Sequence, residues 1–145
     1  MLIGSDTLIS LDGAVIGKPR DVNDARAILT RLRGRMHNVV TAVSIHHRGR
    51  KCEMVEASRV TMRAYADADV DAYLATGDSL DKAGAYSVQG LGRSLIEKLE
   101  GDYLAVMGLP LRAVARCLKG FGITVPADLD RLYRERDFLN WRTFL

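Results

Sequence analysis

A ten-residue segment, residues 81–90, combines residue types that could bind a phosphorylated ligand. It reads Asp-Lys-Ala-Gly-Ala-Tyr-Ser-Val-Gln-Gly and has neither helical nor strand periodicity. Lys82 offers a point charge for phosphate. The Gln89 amide can donate and accept hydrogen bonds together, as reading the edge of a nucleobase requires. The alternative is a solvated loop that binds nothing, and the segment alone leaves both interpretations open.

Two charged residues near the N-terminus are the next candidates. Asp6 interrupts an apolar predicted strand, where a carboxylate is costly to bury unless it is paired, metal-bound or at the strand end. It is therefore either a solvent-facing acid or a general base or metal ligand at the mouth of a pocket. An Asp-Gly turn at residues 12–13 predicts a hairpin that returns Lys18 opposite Thr7. Strict alternation puts Asp6 and Lys18 on opposite faces, but the flanking glycine and proline favour a departure from regular pairing.

The elements that must position these residues alternate between strands and helices. Hairpins mixed with helices of moderate length indicate an α/β or α+β domain with a mixed sheet. The first strand, rich in Leu, Ile and Thr, is predicted to be buried on both faces. Strands are predicted at residues 2–11, 14–16, 36–47, 52–63 and 94–99, helices after residues 21, 67 and 110, and a partly helical tail from 126 to 145.

Composition limits the classes of function. The chain has 145 residues, is 48% hydrophobic and carries a net charge of +3 that is spread along the sequence, which is typical of one globular domain. Nucleic acid is an unlikely partner, because no dense basic stripe is present. No apolar run reaches the roughly 18 residues of a membrane span, so we expect a cytoplasmic protein without a membrane partner. Cys52 and Cys117 are predicted to be free thiols.

Several strings, taken in order, resemble the Maf family, the septum-formation-inhibitor-like nucleoside triphosphate pyrophosphatases. The resemblance implies a mixed α/β fold with a largely antiparallel, elongated sheet flanked by helices. We expect residues 1–122 to form a partial Maf-like domain and residues 123–145 to form a C-terminal extension. The matching strings are residues 4–7 (Gly-Ser-Asp-Thr), 17–20 (Gly-Lys-Pro-Arg), 81–90, 101–103 (Gly-Asp-Tyr) and 108–110 (Gly-Leu-Pro).

The resemblance also implies a reaction. It is the hydrolysis of a (d)NTP between the α- and β-phosphates to (d)NMP and pyrophosphate, with Mg²⁺ or Mn²⁺ as cofactor. Asp6 falls on the family's proton-accepting aspartate, with metal binding as the alternative role, and Lys18 falls on its hairpin lysine. Thr7 and Gln89 match positions linked to base specificity, Lys82 is expected to bind phosphate, and the pattern resembles the dTTP/UTP branch. Such chemistry needs charge neutralisation and positioning more than covalent catalysis.

The sequence also departs from the family's pattern. Members normally begin with a strand and a Ser-x-Ser-Pro-Arg-Arg loop, whereas this sequence starts at the Gly-x-Asp-Thr string. We expect unpaired backbone at a sheet edge, explained either by a truncation or start-site error or by an adaptation in which a homodimer covers the edge. Phe138, Trp141 and Phe144 either cover exposed surface or belong to a mobile tail. The alternative function is a catalytically impaired nucleotide-binding or dimerisation module.

Overall fold

The computed structural model describes residues 1–137 and 140–144, and they form one antiparallel sheet with helices against it. The strand order is β2-β1-β3-β4-β5. This confirms the predicted α/β fold with a largely antiparallel sheet. The strands are β1 (Leu2–Leu11), β2 (Ala14–Ile16), β3 (Met36–His47), β4 (Arg50–Met62) and β5 (Ile96–Glu100).

The described residues also form five α-helices, and aspartate side chains cap the N-termini of three of them. The carboxylate of Asp21 accepts a hydrogen bond from the Asp24 N–H at 2.8 Å, which satisfies a backbone donor left free at the first turn. Asp102 and Asp128 cap in the same way. No described helix has both the length and the apolar character that crossing a membrane demands. The helices are α1 (Val22–Leu32), α2 (Asp67–Leu74), α3 (Tyr103–Val106), α4 (Leu111–Gly120) and α5 (Leu129–Glu135).

The burial predicted for the first strand is wrong over most of its length. Of the residues in β1, only Ile9 and Leu11 are fully buried. The reason is the placement of the apolar clusters, since Ile9 and Leu11 belong to the larger one and no other residue of β1 belongs to either. Residues 2–8 pair on one edge with β3 and lie beyond the part that β2 pairs, and their side chains stay largely exposed.

The apolar side chains form two clusters. The larger lies between the sheet, α1, α2 and the segment that follows α2, and it includes Leu29, Val60 and Tyr103, each 0% exposed. The smaller lies where α4 crosses the sheet. It consists of Val43, Ile45, Val114 and Leu118 with partly buried neighbours.

The C-terminal tail contacts the larger cluster through aromatic rings. The Trp141 ring stacks on Tyr103, with centroids 5.4 Å apart and an angle of 12° between the planes. The Phe144 ring lies 5.8 Å from the same tyrosine. Trp141 and Phe144 thus cover surface of the larger cluster, which is one of the two alternatives predicted for them. Phe138, the third residue of that prediction, lies outside the described residues.

The prediction of free thiols is wrong, because Cys52 and Cys117 form a disulfide. Cys52 lies on β4 and Cys117 on α4, with their Cα atoms 6.0 Å apart. The two residues are 65 positions apart in sequence, and only the crossing of α4 over the sheet brings them together. The bridge fastens that helix to β4 beside the smaller cluster.

Candidate active site

The five residues predicted to carry chemistry all line one cavity of about 340 Å³. Asp6 and Thr7 come from the first half of β1, and Lys18 comes from the segment after β2. Lys82 and Gln89 come from the segment between α2 and β5. The hairpin and the glycine-bearing segment therefore meet in space, as the sequence predicts.

Lys18 reaches the cavity because β2 is so short. Regular pairing with β1 ends at Ile16, opposite Ile9. Lys18 lies beyond this pairing, so strand alternation no longer places its side chain on the face opposite to that of Asp6. The Asp6 carboxylate is exposed and accepts a hydrogen bond from the Thr7 N–H at 3.0 Å. The second oxygen of the carboxylate has no partner among the described residues, so Asp6 can accept a proton or bind a cation.

A glycine holds the second segment against the hairpin. Gly84 has φ of 75°, and a Cβ at this position would collide with the Cδ1 atom of Ile9. Its N–H donates to the carbonyl oxygen of Gly17 at 3.1 Å. Only glycine combines this backbone conformation with so close an approach. The hydrogen bond ties the residues next to Lys18 to the residues next to Lys82.

Lys82 enters the cavity with all of its N–H bonds engaged. Its Nζ atom donates to the carbonyl oxygen and to Oδ1 of Asp78, both at 3.0 Å, and to Oδ1 of Asp81 at 2.6 Å. Burial opposes the charge, but the hydrogen bonds to the two carboxylates outweigh it and raise the pKa of Lys82 above its ordinary value. A phosphate oxygen can bind this ammonium only by replacing one of the three acceptors.

Asp81 is the acceptor most easily replaced, since its side chain is 80% exposed. Its hydrogen bond with Lys82 lowers the pKa of the carboxyl group, and the nearby Lys18 contributes a smaller effect in the same direction. Because both lysines line the same cavity, they can act on one anion. Exposed ion pairs of this kind contribute at most about 1 kcal/mol, so exchange of Asp81 for a phosphate costs little.

Thr7 is oriented by a chain of hydroxyl groups that sequence reasoning missed. The Thr41 hydroxyl is buried and donates to the carbonyl oxygen of Ala105 at 2.6 Å. Its single proton is thereby used, so the hydrogen bond of 2.7 Å between the two threonines must have Thr7 as its donor. Thr7 then offers the cavity only lone pairs.

Gln89 and its neighbours form another part of the wall. The Nε2 atom of Gln89 donates to the Sδ atom of Met107 at 3.3 Å, and both side chains line the cavity. Ser5, also in the lining, donates to the carbonyl oxygen of Gly108 at 2.5 Å. Ser5 and Gly108 both belong to strings that carry the family resemblance, whereas nothing in the local sequence pattern marked Met107.

A buried pair lies behind this wall. The Nε2 atom of His37 lies 2.7 Å from the Tyr86 hydroxyl, and the histidine is 1% exposed. Burial lowers the pKa of His37 to about 4 and raises the pKa of Tyr86. Both side chains are therefore neutral at pH 7. Tyr86 itself lines the cavity, so this pair fixes the position of one apolar surface there.

The polar lining suits a hard cation that is shared with a ligand. The described residues contain no group of three or more His, Cys, Asp and Glu side chains that could hold an ion by themselves. Mg²⁺ is commonly bound by one or two carboxylates together with the phosphates of a substrate. The Asp6 carboxylate and the Ser5 and Thr7 hydroxyls supply oxygen donors of that type in the lining.

Comparison with known proteins shows the family to which the chain is similar. A family model described as "Maf-like protein" matches residues 1–121. A protein of Dictyoglomus turgidum named dTTP/UTP pyrophosphatase is 45% identical over 127 residues, which are 86% of this chain and 66% of that protein. Proteins with the same name from Bordetella parapertussis and Bacillus pumilus are 45% and 40% identical over 86% of the chain, covering 60% and 66% of their own lengths.

The chain thus spans slightly less than two thirds of the length of these curated relatives. The family match nevertheless extends over most of this chain, and it includes every string on which the resemblance depends. The chain belongs to the Maf-like protein family.

Proposed function

We propose that this cavity binds a nucleoside triphosphate and hydrolyses it between the α- and β-phosphates. The products are a nucleoside monophosphate and pyrophosphate. The observation that carries the proposal is the meeting of the exposed Asp6 carboxylate, which has no lysine partner in the part of the chain that the structure describes, with two ammonium groups, Lys18 and Lys82, in a single cavity. The three side chains come from separate segments, and the positive charges suit a polyanion beside a potential base.

The proposed mechanism assigns a role to each charged group. Asp6 accepts the proton of the attacking water or, as the alternative, holds the metal ion. The water oxygen forms the new P–O bond as the anhydride P–O bond breaks, and pyrophosphate departs. Lys18 and Lys82 stabilise the negative charge on the phosphate oxygens. Bound Mg²⁺ or Mn²⁺ would neutralise further charge, with Asp6 as its protein ligand.

The polar atoms around Thr7 favour a uracil or thymine base. Both bases carry an N3–H donor between two carbonyl acceptors, whereas cytosine has an acceptor at N3. The Thr7 oxygen presents lone pairs and can accept from N3–H, while the Gln89 amide can pair with a carbonyl oxygen. The proposed substrates are therefore dTTP and UTP, in agreement with the names of the relatives.

The direct test is release of pyrophosphate from dTTP, UTP, dCTP and dATP in the presence of Mg²⁺ or Mn²⁺. We expect turnover of dTTP and UTP, and a loss of about 100-fold or more in Asp6→Asn, as for removal of a general base. Asp24→Asn is the matched control, because Asp24 is an acid paired with Arg20 at the start of α1 and outside the cavity lining. Absence of release would contradict the proposal. Nucleotide-dependent thermal stabilisation without turnover would favour a non-catalytic nucleotide-binding module.

Two conditions belong in the same assay. We propose that the chain acts on nucleotides in the cytoplasm. Reductants open most disulfides in that compartment, so turnover is measured with and without dithiothreitol. Light scattering on the same samples tests the predicted homodimer. Turnover that disappears on reduction would contradict activity in a reducing compartment.

A further inference from the structure

Lys82 is held from behind by a residue that is not part of the cavity wall. Asp78, which follows α2, provides two of the three acceptors of the ammonium, yet it is absent from the cavity lining. Asp81 provides the third acceptor and does line the cavity. The two carboxylates therefore contact the same lysine from different sides.

Asp78 is itself fixed by two hydrogen bonds. The hydroxyl of Tyr73 donates to the second oxygen of the Asp78 carboxylate at 3.2 Å. The Asp78 N–H donates to Oγ1 of Thr76 at 3.2 Å, and that hydroxyl donates to the Tyr73 carbonyl oxygen. Tyr73 is 4% exposed and belongs to the larger apolar cluster. A chain of hydrogen bonds thus connects the core to the ammonium.

We propose that Asp78, held by Tyr73, is a positioning residue that directs the Lys82 ammonium at the phosphates of the substrate. The inference rests on the proposed function, since it takes Lys82 to be a phosphate-binding group. When a phosphate replaces Asp81, the two contacts from Asp78 remain, and they keep the lysine in one orientation.

The exposure of the two acids supports this division of roles. The Asp78 side chain is 36% exposed and makes its contacts over a buried tyrosine, whereas the Asp81 side chain is 80% exposed. Burial and the Asp78 carboxylate raise the pKa of Tyr73, so the tyrosine stays protonated and remains a donor. Solvent therefore weakens the contact between Asp81 and Lys82 at the cavity, whereas the contact between Asp78 and Lys82 persists.

A positioning role has a kinetic consequence that differs from weaker binding. A lysine freed from Asp78 can still meet a phosphate in the ground state, but it no longer meets the developing charge at a fixed angle. Interactions made mainly in the transition state affect kcat rather than KM. For Asp78→Ala we therefore expect kcat for dTTP to fall by about tenfold or more while KM stays within about threefold.

A labelling experiment tests the contact without any need for turnover. The native chain and Asp78→Ala are treated with limiting acetic anhydride, and mass spectrometry gives the acetylation rates of Lys82 and Lys18. Loss of one carboxylate lowers the pKa of Lys82 and frees its amine, so we expect its labelling to rise about threefold to tenfold relative to Lys18. Asp71→Asn removes an exposed acid of α2 that is paired with Arg26 of α1 and should leave the rate unchanged.

The link through Tyr73 is tested by a double-mutant cycle. Tyr73→Phe removes one hydroxyl and should lower kcat severalfold, with no further effect in the Asp78→Ala background. Tyr65→Phe is the matched control, since its buried hydroxyl donates to the Leu29 carbonyl oxygen in α1, and it should leave kcat unchanged. If Asp78→Ala fails to fold, Asp78→Asn, which keeps the shape and removes the charge, replaces it.

The two proposals fail in different ways. The positioning role would be overturned if Lys82 in Asp78→Ala were acetylated at the same rate, relative to Lys18, as in the native chain. It would also be overturned if the effects of the Tyr73 and Asp78 substitutions on kcat were additive. A native chain that releases no pyrophosphate would overturn the proposed function, while the labelling ratio would still decide whether Asp78 holds Lys82.

Discussion

The two ends of the sheet are stabilised by different means. The larger cluster packs α1, α2 and the tail aromatics against the sheet and supports the cavity wall. At the other end, α4 covers the four buried residues of the smaller cluster and is fastened to β4 by the disulfide. Packing secures the end that carries the candidate chemistry, and a covalent bond secures the end with little core. Substitutions should therefore affect the two ends in different ways.

Removing the tail's main contact should have the largest effect on stability. Trp141 is 5% exposed, stacks on Tyr103 and meets Tyr133 edge-on. Trp141→Ala should lower the free energy of unfolding by about 3–5 kcal/mol in urea denaturation. Arg134→Ala, an exposed change in the same tail, should have almost no effect. A loss below about 1 kcal/mol would show that the tail adds nothing to the larger cluster.

Breaking the covalent link should weaken the other end while leaving the chemistry intact. The bridge closes a loop of 65 residues, so Cys52→Ser with Cys117→Ser should lower the free energy of unfolding by about 2–4 kcal/mol. Turnover of dTTP should stay within about twofold. Dithiothreitol should reduce the stability of the native chain to that of the variant and leave the variant unchanged. A large loss of turnover would mean that the two ends are coupled.

Acid should destabilise the larger cluster through His37. Its pKa is about 4 in the folded chain against an ordinary value of 6.5, so the unfolded state binds the proton more readily. The stability due to the neutral imidazole is complete above pH 6.5 and is lost as the pH falls towards 4, by up to about 3 kcal/mol. The difference in unfolding free energy between the native chain and His37→Gln, measured from pH 7 to 4, should show this slope. A constant difference would contradict it.

The smallest expected change in stability concerns a buried hydroxyl. Thr41→Val removes the acceptor for the Thr7 hydroxyl and should cost about 1 kcal/mol. The freed Thr7 proton can then be donated to N3 of cytosine, so the preference for dTTP over dCTP in kcat/KM should fall by about fivefold. Thr124→Val, at an exposed threonine, is the control. An unchanged preference would mean that Thr7 does not read the base.

Much of the fold follows from local signals in the sequence. Asp12 and Gly13 both have positive φ, at 51° and 80°, as the predicted two-residue turn requires. Asp21 caps α1, which begins where the sequence predicts a helix. What failed depends on tertiary arrangement, because the exposure of β1 depends on which part of the sheet the apolar clusters cover, and the disulfide follows from the path of α4.

The candidate site divides in the same way. Asp6, Lys18 and Lys82 could be selected because charge in an apolar strand or a glycine-rich segment is conspicuous, and the family resemblance supplied their roles. Asp78 and Thr41 carry no comparable signal. Their importance arises from hydrogen bonds to residues 4 and 34 positions away, which the one-dimensional pattern does not contain.

The disulfide between β4 and α4 determines what happens when a protease cuts the backbone. Any single cut between Cys52 and Cys117 leaves one half-cystine on each fragment, so the pieces stay joined. Leu80, 41% exposed beside the Lys82 segment, lies inside this ring. A protease acting there should produce a molecule that migrates as one band on a non-reducing gel and as two after reduction. The nicked protein would therefore still hold the N-terminal hairpin and the Lys82 segment in one covalently linked molecule.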